Sequence, residues 1–250
     1  MRKNLDYLSD KGILLILSKK YQSAIDLYLD IEKQKPNLYN TAANLGTAYE
    51  LAGQNENALL WIKKAVALNP ESHASSEWLH VKILEAKIKG ATAYTAAFLL
   101  NTDFGTDAIP KTTLNEEALD KLSEALFYQL NERTSFIKTK EPIVAELLFD
   151  LGNVYFLQKY YYNAEETYRL AKKYGYKGDL IKKRIALNKI KEKAQEKAFK
   201  NAKIEKEGSM PPPQVISTKT VVEKNELYEN RCLLGGFAAV LLSIVGFFCV

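Results

Sequence analysis

Near the N-terminus, three residues of one segment recur 34 positions later, and this spacing constrains the fold of the chain more than any other feature. The residue types that recur are a glycine, an alanine and a proline, in that order. A period of this length is typical of repeats that each form one pair of helices, and such pairs bury their apolar faces only by stacking on neighbours. The matching residues are Gly12 with Gly46, Ala24 with Ala58, and Pro36 with Pro70.

The second copy shows why the spacing favours paired helices. Gly46 and Ala58 are small, so two antiparallel helices can approach closely there, while Tyr49 and Ile62 fill the gaps between pairs. This pattern resembles the tetratricopeptide repeat. The resemblance implies an all-α solenoid of antiparallel helix pairs that binds proteins and has no catalytic role. The residues that carry it are Ala42, Leu45, Gly46, Tyr49, Gly53, Ala58, Ile62, Ala65 and Pro70.

A third copy begins near Ala145. It departs from the pattern at Lys159, where a turn glycine is usual, and at Tyr176, where proline is usual. Gly175 and Gly178 are then expected to end its second helix. The matching residues are Leu151, Gly152, Tyr155, Ala164, Tyr168 and Ala171.

These patterns divide the chain into three parts. Residues 1–207 are predicted to be the helical repeat domain, 208–231 a flexible linker that contains three successive prolines, and 232–250 a transmembrane anchor. Within the domain the predicted segments are the repeats 5–38, 39–72 and 145–178, an irregular helical stretch 73–144, and a long capping helix 179–207. The irregular stretch is expected to hold helices over 76–88, 91–100 and 114–130, the last of them begun by a capping box of Thr113 and Glu116.

The segment 232–250 has no charged side chain and as a helix would span about 28 Å, close to the ~30 Å of a bilayer core. Lys224 and Arg231 precede it, which favours a cytoplasmic position for the residues before it. The N-terminus makes a poor secretory signal, since its apolar run is short and follows acidic residues. The sequence therefore predicts a single-pass, tail-anchored membrane protein whose repeat domain faces the cytoplasm.

The resemblance also predicts a concave groove, lined by the first helix of each pair, for a protein or peptide partner. The groove lacks the set of basic residues that would grip a terminal carboxylate, because Lys11, Arg133 and Lys138 lie elsewhere in the pattern. Amide contacts and aromatic stacking are the expected means of binding. The candidate groove residues are Asn40, Ala43, Asn44, Thr47 and Glu50 from the second copy, and Glu146, Phe149, Asn153 and Phe156 from the third.

Charge is concentrated in the capping helix, where residues 182–207 hold ten basic and four acidic side chains. A solvated helix face is one interpretation and attraction to anionic lipid is another, with Lys189, Lys193, Lys197 and Lys200 as the candidate lipid-surface residues. Aromatic residues do not alternate with these charges, so nucleic acid is the least favoured interpretation and is not predicted as a partner. A lipid-facing structural component that assembles with itself is thus an alternative to the adaptor.

Small residues at Gly235, Ala239 and Ser243 share one face of the predicted anchor, which indicates a face for homodimerisation. No cofactor or metal is expected, because His73 and His80 lack a third ligand at metal spacing and no nucleophile or phosphate-loop motif occurs. An enzyme is the least favoured alternative. It would use Asp103, Asp107, Glu132 and Arg133 in the irregular stretch.

Overall fold

Helices make up most of the described structure, a computed structural model that describes residues 2–136 and 140–208. No strand occurs in those residues, and a 3₁₀ turn spans Ala91–Ala93. In chain order the helices are α1 Arg2–Leu17, α2 Tyr21–Gln34, α3 Tyr39–Leu51, α4 Asn55–Leu68, the short α5 Ser72–Ser75, α6 Glu77–Lys89, α7 Ala96–Leu100, α8 Glu116–Phe136, α9 Pro142–Leu157, α10 Tyr161–Tyr174 and α11 Leu180–Gly208.

Three helix pairs correspond to the three sequence copies: α1 with α2, α3 with α4, and α9 with α10. Each pair closes where a glycine faces a large side chain of the second helix. A Cβ placed on Gly46 would lie 2.5 Å from Ile62 Cδ1, and one on Gly152 would lie 2.5 Å from the Tyr168 ring. The close approach predicted from the small residues is therefore present in the structure.

The turns inside the pairs need a residue with positive φ. Gly53 supplies it in the second copy at φ 78°, and Lys159 takes the same region in the third at φ 64°. In the left-handed region a residue with a side chain costs more free energy than glycine. The third copy therefore keeps the tight turn although lysine replaces the usual glycine. Gly175, at φ 110°, ends α10 as its sequence position predicts.

The stretch between the second and third pairs is helical but contains no regular repeat. Helix α6 packs on α4, and α8 packs on α9 and α6. Helix α8 is capped by Asn115, whose Oδ1 accepts a hydrogen bond from the backbone N–H of Ala118 at 2.9 Å. The capping box predicted from Thr113 and Glu116 is thus replaced by a cap two residues later.

The chain divides into two units, Met1–Lys189 and Ile190–Val250, and the packing described below lies within the first. In residues 2–136 and 140–208 no helix is both long and apolar enough to cross a bilayer. The predicted anchor 232–250 and its face of Gly235, Ala239 and Ser243 lie outside the described residues, as does the linker beyond residue 208.

Candidate partner-binding site

The groove residues predicted on α3 differ in their accessibility. Asn40 is exposed and Asn44 and Thr47 are half-buried, whereas Ala43 packs in a small apolar cluster. Glu50 has only 6% of its side chain exposed, because side chains from two other helices enclose it. The open part of the α3 face therefore consists of Asn40, Asn44 and Thr47.

Glu50 is the centre of a buried ionic network. Its Oε1 accepts hydrogen bonds from Arg133 Nη1 at 2.6 Å and from Lys87 Nζ at 2.8 Å. Its Oε2 lies 2.7 Å from His80 Nε2 and 3.4 Å from Arg133 Nη2. Lys87 also pairs with Glu141 at 2.6 Å. The network thus ties α3 to α6, to α8 and to the start of α9.

The electrostatics of this network favour its charged form. Burial alone would raise the pKa of Glu50, but Arg133, His80 and Lys87 together hold that pKa well below its usual range. Burial and Arg133 act to lower the pKa of His80, yet Glu50 and Glu77 outweigh them and raise it. His80 is therefore a buried histidine held between Glu50 and Glu77.

A second cluster, around His73, adjoins the first through Glu77. The His73 ring stacks on Tyr128 with centroids 5.2 Å apart, meets Tyr39 edge-on, and hydrogen-bonds through Nδ1 to Glu77. Residues His73, Ala74 and Ser75 all have positive φ, between 52° and 56°. Three successive left-handed residues other than glycine cost about 1–2 kcal/mol each, so this turn is strained.

An apolar cleft of about 540 Å³ opens beside the strained turn, between the start of α6 and the N-terminal half of α8. Trp78 stands at this cleft with 39% of its surface exposed, although most tryptophan side chains are largely buried. Lys121 and Glu124 are the charged residues at its walls. The other lining residues are Ala74, Ser75, Leu100, Leu114, Ala118, Leu122 and Ala125.

The groove residues predicted on α9 require a correction. Phe149, Asn153 and Phe156 are buried, at 4%, 0% and 6% exposure, and do not present an open surface. Phe149 stacks on Tyr176 with centroids 4.2 Å apart, and Asn153 accepts a hydrogen bond from the Tyr168 hydroxyl at 2.9 Å. These partners come from α10 and from the segment before α11, and they occupy the face that was expected to receive a peptide.

Glu146, the fourth predicted groove residue on α9, is half-buried. Burial raises its pKa to about 7, which makes it an acid that titrates near neutrality. Asp150, one helical turn later, is buried, and burial together with the charge of Glu146 raises its pKa well above the usual range. The Oδ2 of Asp150 has no hydrogen-bond partner in the described structure. Asp150 is thus favoured in its neutral form, whereas Glu146 changes its charge near neutral pH.

Arg184, which the sequence analysis did not single out, is fully buried and holds the segment 101–112 onto α11. Its Nη2 donates to the carbonyl of Phe104 at 2.9 Å and to that of Gly105 at 2.5 Å, and its Nε donates to the carbonyl of Asp107 at 3.2 Å. Thr102 and Thr112 hydrogen-bond to each other at 2.9 Å and bring the ends of the segment together. The segment is a closed loop of the Ω type.

The residues of the enzyme alternative do not converge. Asp103 and Asp107 belong to the loop held by Arg184, while Arg133 is bound to Glu50 and Glu132 lies near His73. None of the four lines the cleft. No group of three or more His, Cys, Asp or Glu in the described residues could hold a metal ion. The four candidate lipid-surface lysines, Lys189, Lys193, Lys197 and Lys200, are all exposed on α11.

Three polar side chains whose burial was not predicted had a detectable signal in the sequence. Gln129 and Arg133 on α8 continue the face of Leu122 and Leu126, so a polar pair falls on an apolar stripe. Arg184 likewise falls on the face of Ile181 in α11. Polar side chains at such positions are buried with partners far away in the sequence, which only the fold identifies.

Comparison with known proteins gives structural likenesses only. No protein-family model matches the chain, and no curated protein matches its sequence. The crystal structure of MamA protein is 18% identical, with 86% of this chain and 100% of that one covered and a TM-score of 0.36. The Sgt2 TPR domain from Aspergillus fumigatus is 16% identical, with 89% and 94% covered and a TM-score of 0.26. A tetratricopeptide repeat protein from Parabacteroides merdae is 16% identical, with 74% and 84% covered and a TM-score of 0.33. Because these identities and TM-scores are low, the fold is described from the helix pairs of the chain itself.

Proposed function

We propose that the protein is an adaptor that binds a segment of another protein in the cleft beside Trp78 and is held on a membrane by residues 232–250. The observation that carries the first part is the cleft itself, about 540 Å³ with mainly apolar walls and a tryptophan at 39% exposure. Tryptophan in a desolvated pocket is among the residues that contribute most to protein–protein binding. An apolar side chain of the partner is therefore the expected occupant.

A hydrogen bond next to the cleft joins the two helices between which it lies. Ser76 accepts a hydrogen bond from Gln129 at 3.1 Å, which fixes the start of α6 against α8. The Glu50 network holds the same two helices to α3. A site on packed helices keeps its geometry better than one on a loop, so little ordering free energy is lost when a partner binds.

Asn40, Asn44 and Thr47 remain proposed contacts for the backbone of a bound segment. Their amide and hydroxyl groups suit main-chain recognition. Glu50 is not part of this proposal, because its carboxylate is already used by Arg133, His80 and Lys87.

Selection of a random dodecapeptide phage library on the immobilised full-length protein tests the adaptor proposal. Selected peptides should carry an aromatic residue or leucine, and Trp78→Ala should weaken their binding at least tenfold. Phe127→Ala is the matched control, since Phe127 is 59% exposed on α8 but does not line the cleft. Peptides that bind the Trp78→Ala variant as tightly as the wild type would refute the cleft as the binding site.

The membrane part of the proposal has its own experiment. The full-length chain and a chain that ends at Asn230 would be fractionated, extracted with carbonate, and treated with protease in sealed membranes. Retention of only the full-length chain, with its repeats digested from the cytoplasmic side, supports a tail-anchored protein. If both chains are soluble, the membrane tether is wrong and the adaptor proposal is unaffected.

One observation favours a lipid-facing structural role as a second candidate function. Lys189, Lys193 and Lys197 are exposed along α11, where each would add about 1 kcal/mol of attraction near an anionic surface. In a chain that ends at Asn230, and so lacks the proposed anchor, changing all three to glutamate should then abolish sedimentation with phosphatidylserine vesicles, whereas Trp78→Ala should not. Unchanged sedimentation of the triple variant would exclude this role.

A further inference from the structure

The outer face of α1 carries large apolar side chains that nothing in the described structure covers. Tyr7 is 66% exposed and Leu14 62%, and Leu17 is 48% exposed. Residues seven apart lie on nearly the same side of a helix, so Tyr7 and Leu14 form one stripe along α1. The opposite side of α1 is buried by Leu5 and Ile16.

The internal repeat shows how unusual this exposure is. The residues equivalent to Tyr7 are Thr41 and Leu147, at 2% and 0% exposure. In those copies the helix face that corresponds to the stripe on α1 packs on the preceding helices. For example, Ala48 of α3 lies in one apolar cluster with Ala24 and Ile25 of α2. The residues equivalent to Leu14 are Ala48 and Val154, both at 0%. Helix α1 has the same kind of face, and none of the helices in residues 2–136 and 140–208 packs over its Tyr7 and Leu14.

The charged residues on this stripe identify the occupant. Asp10 and Lys11 are adjacent and exposed, and neither has an ion pair with any described residue. Lys11 occupies the position of Leu45 and Leu151, which are buried in the other copies. A face with neighbouring opposite charges between two apolar residues is complementary to itself when it is turned by 180°.

We propose that the protein forms a two-fold symmetric dimer in which α1 packs antiparallel against α1 of a second copy. With the symmetry axis between residues 10 and 11, Tyr7 faces Leu14 of the second copy. Asp10 then faces Lys11 of the second copy, and the reverse pair completes the interface. The proposal is independent of what binds beside Trp78.

The length of α1 limits the strength of this dimer. Sixteen residues span about 24 Å, and a single helix pair of that length buries less than the ~1,600 Å² of a standard interface. The dimer is therefore expected to be weak, with a dissociation constant on the order of 10 μM. Tethering two copies to one membrane would raise their effective concentration and favour the pair.

Analytical ultracentrifugation of the full-length chain in mild detergent, between 1 and 200 μM, tests the interface with charge reversals. Asp10→Lys and Lys11→Asp should each weaken dimerisation at least tenfold, and the double variant should restore it to within about threefold. Leu14→Asp should abolish it. All three positions changed are exposed, so circular dichroism melts of the four variants should stay near the wild type. A dimer formed through the anchor face of Gly235 would be insensitive to all of these changes.

Disulfide trapping provides a second readout. In a chain with Cys232→Ser and Cys249→Ser, Lys11→Cys places a thiol beside the proposed axis and should give a covalent dimer on mild oxidation. Asp26→Cys, on the exposed side of α2, is the matched control and should not. A chain that stays monomeric at 200 μM, or a dimer that Leu14→Asp leaves intact, overturns the proposal.

Discussion

Replacing Arg133 with methionine should lower the free energy of unfolding by about 3 kcal/mol. Arg133 supplies two of the four hydrogen bonds to Glu50, at 2.6 and 3.4 Å, and both side chains are less than 10% exposed. Removing one member of a buried ion pair costs about 3–5 kcal/mol, because the remaining charge is left without its partner. Lys87 and His80 still contact Glu50, so the lower end of that range is expected. For a chain of this size the loss corresponds to a fall of roughly 6–12 °C in Tm.

Urea unfolding followed by circular dichroism measures this loss. Arg169→Met is the matched control, since Arg169 pairs with Glu165 while 59% of its side chain is exposed, and its replacement should lower the free energy of unfolding far less than that of Arg133. The double variant Glu50→Leu with Arg133→Met should be more stable than the sum of the single changes by at least about 1 kcal/mol. A loss below about 1 kcal/mol for Arg133→Met, or strict additivity in the cycle, would contradict the reasoning.

Three further predictions concern other parts of the fold. In the folded protein the pKa of Glu146 is about 7, above its ordinary value of 4.5. The buried carboxylate therefore lowers the free energy of unfolding of the wild type as the pH rises from 4.5 to about 7. Between pH 4.5 and pH 8, the free energy of unfolding of Glu146→Gln in urea titrations should therefore rise by up to roughly 3 kcal/mol relative to that of the wild type. A difference between the two proteins that does not change with pH would contradict this. Gly152→Ala should destabilise the protein by about 2 kcal/mol in thermal melts, because its Cβ would meet the buried Tyr168 ring at 2.5 Å. Arg184→Gln should release the loop 101–112 and speed tryptic cleavage after Lys111 at least tenfold, and an unchanged rate would show that the loop is held by other contacts.

The paired helices were predictable because their signals are local. Gly46 and Ile62 lie 16 residues apart in one helical pair, and the same spacing joins Gly152 to Tyr168. A helix pair with a short turn brings such residues together whatever the rest of the chain does. Periodicity in the sequence therefore contains the information that each pair needs to form.

The candidate groove on α9 could not be predicted in the same way. Spacing identifies the helix face on which Phe149 and Asn153 lie, but not the elements that cover that face. Here Tyr176 packs on Phe149, and Arg184 lies over the same ring at 5.0 Å. Whether a helix face is a groove or a core surface depends on long-range packing, which a single sequence does not reveal.

The strained turn at residues 73–75 was beyond sequence reasoning for another reason. Alanine and serine rarely adopt the left-handed region, and the single histidine, although enriched there, does not predict three such residues in succession. Tertiary contacts impose the conformation, among them the stack of His73 on Tyr128. The cleft beside Trp78 depends on this turn and was missed with it.

The glycine that faces a large side chain in every pair has an evolutionary consequence. Gly12 faces Tyr28, Gly46 faces Ile62, and Gly152 faces Tyr168, always 16 positions later. Neither partner of such a couple can change size alone without a clash or a cavity. Homologous chains should therefore show correlated substitution at these couples, with a residue larger than glycine accompanied by a smaller one 16 positions on. Such covariation would allow the helix pairs of distant relatives to be aligned when their overall identity is too low for ordinary alignment.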